Sequence, residues 1–383
     1  MTEKKPQAAA RTLAWVAGII VVIVAAWLVA SRVPTAPSPF RIGAVLPLTG
    51  SAAVWGQNAQ RGMDLALDEL NAARPASQKL SILYEDSRSD TNAAVSALQK
   101  LISSDRVEVV IGDIASSAVL AMAPIAEKNK VLLLSPGASN PEISKAGEYT
   151  FRNWQSDALE GQVGARFAYS ERRWRRVATL FVSNAYGTGL NQEFTAAFSG
   201  LGGTIVGSET FNQGAVDLRA QITRLKENGR FDAVYLAGYP PEMAVALKQM
   251  KQLGLSTPIL SVQAFDDPEI FSRAGRAAEG VIFSVPKPPD EAVAIVSQFR
   301  KNYTTRFDKK PGVCSDTGYD ALRIIAWALD QGARTGTDIQ ESLRILKDFP
   351  GAAGTTTFDA LGDVSRPFVF KVIRSGAAVN LLD

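Results

Sequence analysis

Residues Val109 to Glu142 read VVIGDIASSAVLAMAPIAEKNKVLLLSPGASNPE. Two short apolar runs, Val109–Ile111 and Val131–Leu134, are each followed at once by small and hydroxylic residues. Gly112 and Ala115-Ser116-Ser117 follow the first; Ser135-Pro136-Gly137-Ala138-Ser139-Asn140 follow the second. Apolar runs of this length bounded by turn residues predict buried parallel strands, with a helix from Ser117 to Lys128 between them. Ligands of open parallel sheets bind just beyond the carboxyl ends of the strands. Ser116 or Ser117 is expected to cap the helix, whose first amides would face that crevice and suit an anion such as a carboxylate. The stretch reads as one wall of a small-molecule cleft.

Strands and helices alternate on both sides of it. Upstream, Arg41–Leu46 and Leu80–Tyr84 read as strands, with helices at Trp55–Asn71 and from Ser89 or Asp90 to Ser103. A helix from Ser156 to about Tyr169 follows, and a second series opens at Val177. Its predicted strands are Val177–Val182, Gly203–Thr210, Ala233–Ala237, Ile259–Val262 and Val281–Ser284, with helices between them. Three helices come next (Asp290–Phe307, Val313–Gln331, Asp338–Lys347), then two strands, Thr355–Phe358 and Phe368–Arg374. This alternation predicts parallel sheets with helices on both faces, and 383 residues are too many for one core. The expected fold is α/β, in two doubly wound parallel-sheet lobes.

Before Phe40 the chain differs in kind. Residues 1–11 are polar and basic, and Thr12–Ala30 is uncharged for long enough to cross a bilayer as a helix. Trp15 and Trp27 lie near its two ends, as interfacial aromatics do. With positive charge ahead of it, the segment reads as an uncleaved anchor with the remainder exported; a cleaved signal peptide is the alternative. Residues 31–39 (SRVPTAPSP) form a Pro-rich spacer.

Composition removes several function classes. There is no histidine, which excludes Ser-His-Asp and Cys-His chemistry and the commonest metal ligand. Cys314 is alone, so no internal disulfide or thiolate cluster is possible. The net charge of +3 is small, and the run Glu171–Arg176 lacks any nucleic-acid recognition motif, so it reads as a solvated helix end. Gly187-Thr188-Gly189 and Gly202-Gly203 match neither nucleotide fingerprint, and no cofactor is expected. Asp86, Asp90, Asp266 and Asp267 read as caps and surface acids, since no partner base accompanies them.

The loops after the strands carry the remaining chemistry. They are Thr49-Gly50 with Trp55-Gly56, Ala115-Ser116-Ser117 and Gly137-Ala138-Ser139 in the first series. In the second they are Asn184-Ala185-Tyr186-Gly187, Gly238-Tyr239 and Gln263-Ala264-Phe265-Asp266. Each set pairs small or hydroxylic residues, which let a ligand approach the backbone, with aromatics that cover an apolar part.

From Phe40 onward the chain resembles the type I periplasmic binding proteins, specifically the leucine/isoleucine/valine-binding family of ABC importers. The resemblance rests on RIGAVLPLTGSAAVWGQNAQRG (Arg41–Gly62), IGDIASS (Ile111–Ser117), LSPGASNPE (Leu134–Glu142), AYGTG (Ala185–Gly189), VYLAGYPPEM (Val234–Met243) and AAEGVIFSVP (Ala277–Pro286). It implies two lobes joined by a three-crossover hinge, residues 40–157 with 287–353 and residues 158–286 with 354–383. It also implies that the loops of Ser116–Ser117 and Gly137–Ser139 hold the carboxylate of a small solute. Tyr186 and Tyr239 would close from the second lobe, and Trp55 would pack on the solute's side chain. The family's acidic anchor for an amine falls at Gln263, a departure for which Asp266 or Asp316 is a substitute. The function so implied is solute capture for an ABC permease, outside the cytoplasm and without catalysis. A membrane-anchored sensor of the same fold is the alternative, and an envelope hydrolase the third reading.

Overall fold

In the computed structural model, Val109–Gly112 (β3) and Leu132–Ser135 (β4) are neighbouring parallel strands, buried throughout, with Val109 opposite Leu132 and Ile111 opposite Leu134. The structure describes Trp15 and residues 39–381. The tail, the apolar span and the spacer expected before Phe40 lie outside the described residues, apart from Trp15 and Pro39. Among the described residues no helix is long and apolar enough to cross a membrane. Arg41–Ala73 and Leu80–Asp383 make one compact unit. Phe40 and Arg74–Lys79 belong to a separate one, in which the Phe40 amide donates to the Lys79 carbonyl at 2.9 Å.

Phe40–Leu46 (β1), Leu80–Asp86 (β2) and Thr150–Arg152 (β5) complete a five-stranded sheet in the order β2-β1-β3-β4-β5. The order reverses between β1 and β3, which opens a crevice at their carboxyl ends. Two helices start there. Ala53–Ala73 (α1) follows β1 and carries Trp55; Thr91–Ser103 (α2) is capped by Asp90, whose carboxylate accepts from the Ala93 amide at 2.8 Å. Ser116–Asn129 (α3) runs from β3 to β4, its apolar face buried in a cluster with Leu98, Leu101, Val110 and Leu133.

Asp157–Arg166 (α4) leads to a second sheet of seven strands, in the order β12-β11-β10-β9-β8-β6-β7. Its first five strands are Arg176–Val182 (β6), Thr204–Phe211 (β7), Ala233–Ala237 (β8), Ile259–Ser261 (β9) and Ile282–Pro286 (β10), paired in parallel. Ala185–Gly200 (α5), Arg219–Glu227 (α6), Pro240–Gln252 (α7) and Pro268–Ala274 (α8) connect them. The expected all-parallel sheet needs correction at one edge. Phe368–Arg374 (β11) pairs antiparallel with β10, and Ala377–Asn380 (β12) antiparallel with β11. Ser375 and Gly376 between them both have positive φ (53° and 74°), the type I′ geometry that suits a two-residue hairpin. The expected strand at Thr355–Phe358 is also corrected: that segment makes a single bridge, Phe349 to Thr356, because loops and not a strand edge lie beside it.

Ala294–Phe307 (α9), Ser315–Asp330 (α10) and Gly336–Ile345 (α11) follow. Helix α9 starts four residues later than expected, after a turn in which Asp290 accepts from the Ala292 amide. Helix α10 lies hard against α1. A Cβ on Gly62 would come within 1.9 Å of the Ser315 carbonyl oxygen, so only glycine allows this approach. The close fit brings Cys314 and Val313, just ahead of α10, to the crevice that Trp55 faces.

Candidate functional site

Trp55, Gly137, Ser139, Tyr186, Tyr239 and Gln263, six of the expected site residues, line one cavity. Trp55 comes from α1, beside the first sheet, whereas Tyr186 opens α5 and Tyr239 precedes α7, beside the second. Their rings form a row: Trp55 to Tyr239 at 5.1 Å between centroids, Tyr239 to Tyr186 at 5.8 Å. Ile114, Trp154, Ala264, Val313 and Cys314 complete the wall, and none of these was singled out as a ligand contact from sequence. The cavity has about 350 Å³ of empty space with its mouth included, but only about 20 Å³ is wide enough to hold the centre of a water. That is room for roughly one water molecule.

The loops at the helix starts are held in place by side chains. Neither Ser116 nor Ser117 caps α3, contrary to expectation; Ala115 occupies the N-cap and makes no side-chain bond. Ser116 is buried, and its Oγ instead accepts from the backbone amides of Ser139 and Asn140, at 3.2 Å each. Ser135 Oγ donates to the Asp113 carbonyl at 2.6 Å and accepts from the Ala138 amide at 2.9 Å. Ser116 therefore shapes the Ser139 loop from behind, while Ala138 belongs to the core of the first sheet. Ser117 lies further out: its Oγ accepts from the Ala185 amide at 3.2 Å, joining the start of α3 to the start of α5. Two more bonds link the same faces. Asn140 Nδ2 donates to the Ala185 carbonyl at 2.6 Å, and Gln213 Nε2 to Ser51 Oγ at 2.7 Å. Asp266 is not in the central cavity. It pairs with Lys371 at 2.8 Å and faces a neighbouring cavity that Asp316 and Arg366 also line.

No charged residue is among those lining the central cavity. Three polar groups on its second-sheet side can donate to a ligand. Tyr239 OH accepts from Asn184 Nδ2 at 3.2 Å, leaving its own proton free. Tyr186 OH has no partner among the described residues. Gln263 Oε1 accepts from Gln155 Nε2 at 3.2 Å, and its amide nitrogen lies on the side of the Glu160 carboxyl. Burial pushes the Tyr186 and Tyr239 hydroxyls above the usual phenol range, so both stay protonated. The Cys314 thiol is likewise raised by burial and is not a reactive thiolate.

Behind this uncharged lining stand buried carboxyls. Asp157 and Glu160, in the first turn of α4, are 0% and 1% exposed. The Asp157 amide donates to the Ser139 carbonyl at 2.8 Å, and the Ser139 hydroxyl is the polar neighbour of its carboxyl group. Glu160 Oε1 accepts from the Gln263 amide at 2.6 Å and from Ser284 Oγ at 2.5 Å, and the Gln263 side chain also lies against its carboxyl group. Burial, and then the charge of Glu160, hold the Asp157 carboxyl well above its ordinary range; burial pushes Glu160 up to about 7. Asp267, near Trp55, and Asp113 are each raised to about 6 by burial. In sequence, Asp157 and Glu160 are acids just after a serine cap, the commonest exposed arrangement at a helix start, so nothing there signals their burial.

Fold and cavity agree with what the chain resembles among characterised proteins. A leucine-, isoleucine-, valine-, threonine- and alanine-binding protein of Pseudomonas aeruginosa is 28% identical over 344 residues, 88% of this chain and 90% of that protein. The crystal structure of a leucine-binding protein from Thermotoga maritima superposes with a TM-score of 0.83 at 29% identity, covering 89% of this chain and 97% of that one. A branched-chain amino acid transporter substrate-binding protein from Streptococcus pneumoniae, solved with isoleucine, gives 0.81 at 26% identity, covering 89% and 98%. The periplasmic binding protein family matches residues 39–377, from the first strand to the final hairpin. With aromatic side chains from beside both sheets meeting over one uncharged cavity, and the family matched from residue 39 to 377, the chain belongs to the periplasmic binding protein family.

Proposed function

We propose that the chain captures an amino acid or related small carboxylate outside the cytoplasm and delivers it to an ABC importer. The observation that carries this is a cavity lined from both sheets, with Trp55 on one side and Tyr186 and Tyr239 on the other. A solute lodged there touches both sheets at once, so its binding favours the arrangement in which they meet. Gly137 and Ser139 line the cavity together with Tyr186 and Tyr239, whose hydroxyl protons are free to serve a carboxylate.

The lobes proposed are residues 40–157 with 287–353 and residues 158–286 with 354–383, with the three crossings acting as the hinge. Residues 12–30 would anchor the protein at the membrane, where a permease would dock on the outer surfaces of the lobes. The function is binding and not catalysis. Thermal-shift screening of the purified protein against amino acids and small carboxylates tests the reading. Stabilisation by at least one such solute, abolished in Trp55→Ala or Tyr239→Ala, is the expected result; a screen in which no solute of either class stabilises the protein would reject it.

A further inference from the structure

A second cavity lies beside the central one and shares Trp154, Gln263, Val313 and Cys314 with it. It is far roomier: about 590 Å³ can hold the centre of a water, against about 20 Å³ in its neighbour. Much of its lining comes from the stretches where the chain passes between the sheets. Trp154 and Gln155 follow β5, Pro286 ends β10 with Lys287 next to it, and Ala352, Ala353 and Arg366 precede β11. Five cations line this cavity (Lys287, Arg300, Lys310, Arg366 and Lys371) against two acids, Asp266 and Asp316. Phe271, Val285 and Phe299 add apolar surface to that of Trp154 and Val313.

Several of these charges are already engaged. Lys371 holds Asp266 at 2.8 Å, Arg300 bonds Glu291, and Asp316 accepts from the Thr317 amide at 2.8 Å. Lys287 and Lys310 are exposed and make no ion pair among the described residues. Arg366 differs from both sets. Its side chain is only 8% exposed; Nη1 donates to the Asn153 carbonyl at 3.2 Å and Nη2 to Thr356 Oγ1 at 3.3 Å. Its Nε–H has no partner among the described residues. The acids nearest in charge to it are Asp320 and Asp316, and neither forms an ion pair with it among the described residues. Asp320 is taken instead by the Ala352 and Ala353 amides, at 2.7 and 2.8 Å. A buried guanidinium with a donor to spare, in the wall of a cavity, is costly until an anion completes it.

We propose that this cavity is a second ligand site, distinct from the central one, for an organic carboxylate with an apolar body. Its carboxylate takes the Arg366 Nε–H in a charge-assisted hydrogen bond. Lys287 and Lys310 raise the local potential and favour an anion over a neutral molecule of the same shape. The apolar body lies against Phe271, Val285 and Phe299. The site stands apart from the solute reading, since none of the groups that make it depends on what fills the central cavity.

Isothermal titration of the full chain with 2-naphthoate and with 2-naphthamide, the same ring system without the charge, tests this. 2-Naphthoate is expected to bind one to one, and 2-naphthamide at least about tenfold more weakly. Arg366→Gln should weaken 2-naphthoate about ten- to hundredfold, because the charge-assisted bond is lost. Replacing both exposed lysines, Lys287→Gln with Lys310→Gln, should weaken it about two- to fivefold, and more at low salt than at high. Trp55→Ala, in the central cavity, should leave the affinity within about twofold of the unaltered chain. If Arg366→Gln fails to fold, the lysine pair decides. Equal affinity for acid and amide overturns the proposal, as does an affinity unchanged in the charge variants. Loss of 2-naphthoate binding in Trp55→Ala also overturns it, because the probe then sits in the central cavity. No binding of 2-naphthoate up to about 1 mM overturns it too and leaves the solute reading standing. A failed amino-acid screen, conversely, leaves this site untouched.

Discussion

Ser116 illustrates how a residue picked from sequence can matter by a different route. Its hydroxyl takes two buried backbone amides of the loop that carries Ser139 into the cavity, so it sets the shape of that wall without lining it. Ser116→Ala should cost about 1–3 kcal/mol of stability, because buried donors lose their acceptor, and should weaken solute binding through the displaced loop. Urea denaturation and titration calorimetry on the same variant check both. The buried acids give a second prediction. Asp113 and Asp267 (about 6), Glu160 and Asp320 (about 7) all lie above their ordinary values of 3.8 or 4.5, with burial as the leading cause. The folded chain therefore keeps protons that the unfolded chain has lost, and stability present below about pH 4 drains away as pH rises through 6 to 7. The solute-free protein should melt about 5 °C or more lower at pH 8 than at pH 5 by scanning calorimetry. An unchanged or rising melting temperature would contradict this. Trp55, Tyr186 and Tyr239 were picked out by the family resemblance, since aromatics occur in many loops after strands, and all three line the cavity. Asp157 and Glu160 were not, since burial comes from Gln263 and Ser284, more than a hundred positions away.

At the scale of elements, what was legible followed hydrophobic periodicity. Ala233–Ala237 was read to the residue, and β3, β4 and α3 to within one or two, since each is a clean apolar run between turn residues. Two short strands escaped. Thr150–Arg152 contains an arginine that reads as exposed, yet Arg152 is fully buried. Its guanidinium donates to both Asp363 oxygens at 2.7 and 2.8 Å, to the Asn140 carbonyl at 2.8 Å and to Ser144 Oγ at 2.7 Å. Ala377–Asn380 has no alternation of its own and is a strand only because the turn at Ser375-Gly376 folds it onto β11. The arginine joins β5 to the turn at Asp359–Asp363, an element–element link that no local pattern reveals. Asp363→Ala would leave a buried guanidinium without its carboxylate, and should destabilise the protein by about 3–5 kcal/mol in a chemical-denaturation curve. A loss under 1 kcal/mol would mean that Asn140 and Ser144 suffice.

Across the whole molecule, the two sheets meet through a short list of bonds: Ser117 to Ala185, Asn140 to Ala185, and Gln213 to Ser51 and Ser89. Gln155 Nε2 adds a further bond between the walls, to Gln263 Oε1 at 3.2 Å. The existence of two sheets was legible from the repeated alternation; which loops meet was supplied by the family resemblance and not by spacing. The narrow cavity has a consequence in time. A cavity with room for about one water is too narrow for a solute of nine heavy atoms until its walls move apart, and the bonds to Ala185 are among those that hold them together. Capture is then a queue at a door that opens at its own pace. In stopped-flow experiments on Trp55 and Trp154 fluorescence, the observed rate should climb with solute concentration and then level off at the opening rate, and Asn140→Ala should raise that plateau. A rate that rises linearly without limit would mean that the door stands open.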